Sequence, residues 1–129
     1  MLHQNALRAY EQVEQDCMVA GANRHRLVEI LFSELLGAID RALLGISSND
    51  VTARSSGVSK ALTIVYALST SLDFEKGGEV AQSLAEFYEW SRRQLIGSNK
   101  DRPVERLTEV RKAMTEIAEA WSSIANKAV

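Results

Sequence analysis

An all-α fold is what the sequence predicts: an antiparallel four-helix bundle with a short additional N-terminal helical segment. Three observations carry this. Apolar residues recur at steps of three and four, and none of the long segments alternates as a strand would. A single proline, Pro103, stands among 129 residues, which leaves room for long unbroken helices. Polar or glycine-containing breaks divide the chain into segments of about 24–46, 54–73, 78–96 and 103–127. Their lengths agree to within a turn or so, as a bundle requires. A chain of this size forms one domain, residues 1–129, around a single core.

The elements follow in order. A short helical segment is expected near 4–17, where "ALRAYEQV" places Ala6, Leu7, Tyr10 and Val13 on one face. So short a helix is marginal alone and needs a surface to dock on. "VAGAN" then breaks the chain, with Asn23 as a candidate N-cap. The first long helix, "LVEILFSELLGAIDRALLGI", carries apolar residues around about half of its circumference. A bundle stripe needs little more than about 100°. Ile30 and Leu44 fall outside even that wide arc, among Glu29, Asp40 and Arg41.

"GISSNDVTARSSG" (45–57) reads as a polar loop. The second helix buries Val58, Ala61, Leu62, Val65, Leu68 and Leu72. "DFEKGG" ends it, one glycine closing a helix and the next opening another. The third helix has a stripe of Val80, Leu84, Phe87, Tyr88 and Leu95, with Trp90 displaced toward Glu79, Ser83 and Glu86. After "GSNKDRP", Pro103 suits the first turn of the fourth helix, whose stripe is Leu107, Val110, Met114, Ile117, Trp121, Ile124 and Ala128. Isolated exposed apolar residues are ordinary. Ile30, Leu44 and Trp90 together suggest apolar surface beyond what the core needs, hence a partner site.

Composition excludes several functions. Fifteen Lys and Arg against seventeen Asp and Glu give a formal charge of −2, which argues against nonspecific nucleic-acid binding. No apolar run is long enough to cross a membrane, and the N-terminus lacks the apolar core of a signal peptide. Cys17 is the single cysteine, so neither an intrachain disulfide nor a cysteine-rich zinc site forms. A soluble, reducing, cytoplasmic setting is expected. The only histidines are His3 and His25. Neither follows a glutamate by three residues, as a di-metal bundle site requires. His25 and Glu29 make a poor ligand set amid Arg24 and Arg26, and no histidine stands ready to activate a serine. No catalytic residue, cofactor site or metal is expected, and the chain is not read as an enzyme.

One stretch is more specific. "KALTIVYALSTSLDFEKGGEVAQSLAEFYEW" (60–90) carries Lys60-Ala61, an aliphatic helix, Ser71-Leu72-Asp73, Gly77-Gly78, Glu79-Val80-Ala81 and Phe87-Tyr88-Glu89-Trp90. This closely resembles the signature of the FliS-type flagellar secretion chaperones. Tyr10 in "ALRAYEQV", the Leu-rich "LVEILFSELLGAI" and "EVRKAMTEIAEAWSSI" with Trp121 extend the likeness over about residues 6–124. There are departures. Gly21-Ala22-Asn23-Arg24 replaces the family's usual Thr-Ala-Ser-Pro, Phe32 stands where tyrosine is common, and Trp90 where tyrosine or methionine is common.

The resemblance implies a cytoplasmic helical-bundle chaperone that binds the C-terminal segment of flagellin. Such a protein prevents premature polymerisation and assists export through the type III apparatus. Leu27, Ile30, Leu31, Leu84, Tyr88 and Trp90, with Tyr10, are the expected client-binding residues; core packing is the rival role for Leu31 and Leu84 above all. The resemblance further implies that residues 1–20 cap a client groove through Leu7 and Tyr10, against the rival reading of Tyr10 as permanent core. Export-apparatus components and other flagellar regulators are further implied partners, and a homodimer of free chains through empty grooves stays open. A non-catalytic adaptor or regulator binding another amphipathic helix is the alternative.

Overall fold

The computed structural model describes residues 24–127, with side chains as far as Ser123. Residues 1–20 with Leu7 and Tyr10, the cap candidate Asn23, and the side chains of Ile124 and Ala128 lie outside the described residues. Four helices follow one another: α1 (Arg24–Ser47), α2 (Val51–Thr70), α3 (Phe74–Gly97) and α4 (Pro103–Lys127). Among the described residues there is no strand. The helices form the bundle that the periodicity predicts, each packing on its two neighbours around a ring.

The α1–α2 turn is much shorter than the polar composition of 45–57 led us to expect. Only Ser48, Asn49 and Asp50 lie between the helices. Asn49 takes a left-handed φ of 57°, a conformation asparagine tolerates. Asp50 then caps α2, its carboxylate accepting the Ala53 amide at 3.0 Å. Gly57, read from sequence as a loop residue, is a packing residue. A Cβ there would lie 2.6 Å from the Ala38 carbonyl oxygen and 2.7 Å from the Ala42 amide nitrogen. The missing side chain lets the backbones of α1 and α2 approach closely, and this pair of helices has the most extensive contact.

α3 starts one turn before the double glycine. Asp73 is its N-cap, with one carboxylate oxygen accepting from the Glu75 and Lys76 amides, each at 3.0 Å. Within α3, Gly78 has φ 50° and ψ −123°, a conformation that L side chains rarely adopt. It sets the first turn, 74–77, at an angle to the rest. Gly77 is needed for a different reason: a Cβ there would sit 2.8 Å from Ala81 Cβ. One glycine is required by dihedral angle, the other by space.

The core runs through all four helices. Leu35, Ile39, Ala61, Leu95, Leu107, Val110 and Met114 are fully inaccessible. At the turn end, Arg54 donates through Nη2 to the Ser98 carbonyl at 2.9 Å, fastening α2 to the α3–α4 connection. Asp40 on α1 receives both Nε and Nη2 of Arg111 on α4, a bidentate clamp whose hydrogen bond and charge raise the Arg111 pKa further. None of the helices, as far as described, is long and apolar enough to cross a membrane.

Candidate functional site

Contact between α3 and α4 is the least extensive of the four helix pairs. Toward the far end of the bundle, where α1 and α3 begin and α2 ends, the described residues leave the interior incompletely filled. A hollow of about 420 Å³ opens there. Its floor and walls are apolar: Val28 and Phe32 from α1, Leu68 from α2, Ala81, Leu84 and Tyr88 from α3, Ile117 and Trp121 from α4. Arg24, His25, Asp73 and Lys76 stand among its lining. A second, more open hollow of about 450 Å³ adjoins it on the outer face, lined by Glu79, Val80, Ser83, Leu84, Phe87 and Ile117. Val80, Leu84 and Ile117 line both. The two hollows make one apolar groove along α3 and α4.

One wall is pinned across the bundle. Trp121 donates from Nε1 to the backbone carbonyl of His25 at 3.0 Å. The indole and imidazole also stack, with centroids 4.5 Å apart and planes 8° from parallel. His25 Nε2 is buried without a hydrogen bond, 3.3 Å from Glu29 Oε1. Glu29 is held from its other oxygen by Arg26 at 3.1 Å. Tyr88 is 3% exposed, and desolvation by burial pushes its phenol up to about 12. The chain makes the groove by presenting apolar side chains that no other described helix covers: Val80 is 68% exposed although it lies in the stripe of α3.

The sequence-derived residues occupy different depths. Leu84 is half-buried and lines both hollows, and Tyr88 lines the inner one. Leu27 and Leu31 are buried at 1% and 8% exposure. Ile30 and Trp90 are half-buried. Trp90 packs against the core and stacks on Phe87, with centroids 5.9 Å apart. Phe87 in turn lines the outer hollow.

Val80, Phe87, Ile117 and Trp121 were read as core stripe, whereas all four line the groove. Their period of three and four gave no hint of exposure. The signal lay in the double glycine, which bends α3 where the apolar stripe starts. The groove offers hydrophobic burial and no reactive constellation. Among the described residues no group of histidine, cysteine, aspartate or glutamate side chains could hold a metal ion.

Comparison of the sequence with known proteins finds relatives along nearly its whole length. The family model described as "Flagellar protein FliS" matches residues 6–128. The flagellar secretion chaperone FliS of Salmonella typhimurium is 38% identical over 125 residues, covering 96% of this chain and 93% of the relative. The Escherichia coli protein of the same name is 34% identical over 115 residues, covering 88% and 85%. The flagellar secretion chaperone FliSB of Pseudomonas aeruginosa is 29% identical over 126 residues, covering 98% and 100%. One family model matched nearly end to end, and relatives up to 38% identical over almost the whole length, place this helical chain in the FliS family of flagellar secretion chaperones.

Proposed function

We propose that this protein binds the C-terminal segment of flagellin in the cytoplasm, keeps it from polymerising, and assists its export for filament assembly, without catalysing any reaction. The observation that carries the reading is the apolar groove along α3 and α4. Flagellin's terminal segment, unfolded before assembly and amphipathic afterwards, is suited to becoming helical on such a surface. The entropy of ordering it is subtracted from the affinity.

In this reading Leu84 touches the client directly, and Tyr88, 3% exposed, forms the floor of the groove behind it. Ile30 and Trp90 extend the apolar surface from their half-buried positions, and Leu27 and Leu31 support it from beneath. Tyr10 and Leu7 act from the N-terminal segment, which competes for the groove and lowers apparent affinity by the fraction of molecules it occupies. Calorimetric titration with a flagellin C-terminal peptide tests the reading, with an unrelated amphipathic helix as control. Saturable binding of the first and not the second is expected. No binding of the flagellin peptide, or equal binding of both, rejects it.

A further inference from the structure

The first turn of α3 does more than begin a helix. Because Gly78 bends the chain, residues 74–77 do not continue the axis of α3. Asp73, Lys76 and Gly77 instead line the inner hollow, together with Arg24 and His25 at the start of α1. The inner hollow is therefore bordered at this end by the first turn of α3 and by the beginning of α1.

That end carries a charge pattern. Arg24 and Lys76 are exposed, and neither side chain has a partner among the described residues. The acids nearby are already engaged: Asp73 accepts two backbone amides of its own helix, and Glu29 faces Arg26 and His25. Glu79 stands beside the outer hollow instead. An apolar groove bordered by two cations that have no partner among the described residues complements a helix whose last turn is apolar and whose end is negative. A helix C-terminus has that polarity, and a chain terminus adds a carboxylate.

We propose that the groove receives the client's last helix end-on. Its C-terminal turn fills the inner hollow, and its terminal carboxylate lies against Arg24 and Lys76. This rests on the client reading above and adds direction and register to it. In this arrangement a helix that continued past the hollow would run into Asp73, Lys76 and Gly77, so the site selects a chain end over an internal helix.

The test uses the full-length protein and synthetic flagellin C-terminal peptides in three forms: free acid, C-terminal amide, and free acid extended by a few glycines. The free acid should bind about fivefold more tightly than the amide, and the extended form should be weaker still. Lys76→Gln and Arg24→Gln should erase the difference between acid and amide. A spin label at the peptide's C-terminus should broaden the amide signals of residues 73–80, and a label at its N-terminus should not. Equal affinity of all three forms, or broadening by the N-terminal label instead, overturns the proposal and leaves client binding intact. Binding that leaves those amides untouched also overturns it. If no peptide binds in any form, the client reading itself falls.

Discussion

Trp121 and His25 are joined twice, by the hydrogen bond from the indole to the backbone carbonyl at 3.0 Å and by parallel stacking of the rings. The first turn of α1 and the later part of α4 are thereby held by one side chain at the groove wall. Replacing Trp121 by phenylalanine keeps a ring for the stack and removes the donor. The expected loss is about 1 kcal/mol in urea denaturation. Trp121→Ala removes both, and should cost about 3 kcal/mol.

Val80 separates the role of the groove from the stability of the bundle. Its side chain is 68% exposed and lines both hollows. Val80→Asp should change unfolding free energy by no more than about 0.5 kcal/mol. Affinity for the flagellin peptide should fall by about tenfold or more, because a charge would enter the apolar contact. Calorimetry on a variant of unchanged melting temperature checks this.

The two glycines of α3 should fail in different ways. Gly78→Ala places a side chain at φ 50° and should cost about 1 to 3 kcal/mol. Gly77→Ala should clash with Ala81 Cβ, 2.8 Å from the added carbon. Combining Gly77→Ala with Ala81→Gly should recover part of the loss, whereas Ala81→Gly should give Gly78→Ala no such relief. A double-mutant cycle by chemical denaturation measures the coupling.

Tyr88 gives the fold an alkaline limit. Its folded-state phenol is raised to about 12 by burial, above the ordinary value near 10 of an unfolded chain. The stabilisation is fully present below pH 10 and disappears as pH rises toward 12. It amounts to about 2 to 3 kcal/mol. Stability measured across this range should drop more steeply in the wild type than in Tyr88→Phe.

Gly57→Ala should destabilise the protein by about 1 to 3 kcal/mol, since the new Cβ would meet the Ala38 and Ala42 backbone at 2.6 and 2.7 Å. Urea titration reads this directly.

Much of the fold was legible because helical periodicity is a local property. Leu107, Val110 and Met114 mark the buried face of α4 from their spacing alone, and all three are inaccessible. The start of α2 is at Val51, and the sequence puts it later, at about 54, because serines, Asp50 and Gly57 form a loop-like composition. Asp50 is a cap and Gly57 a contact, and only the neighbouring helix reveals the second of these. The groove was harder still. Periodicity says which face of α3 is apolar, yet Val80 is 68% exposed and Ala81 is 3% exposed, and only the placement of their neighbours in space separates the two. Leu84 was reachable from the apolar stripe of α3 and Tyr88 from the family signature, whereas Ile117 and Trp121 as groove residues required three dimensions.

The close approach of Gly57 to Ala38 and Ala42 also bears on the order in which the molecule assembles. α1 and α2 are adjacent in sequence, joined by three residues and packed backbone to backbone, so pairing them closes only a short loop. This hairpin should form early and give up its amide protons last in deuterium exchange, while the exposed turn at Phe74–Gly77 exchanges soonest. On this expectation the α1–α2 hairpin is the stiff part of the molecule, and the groove along α3 and α4, where we propose the client docks, is the compliant one.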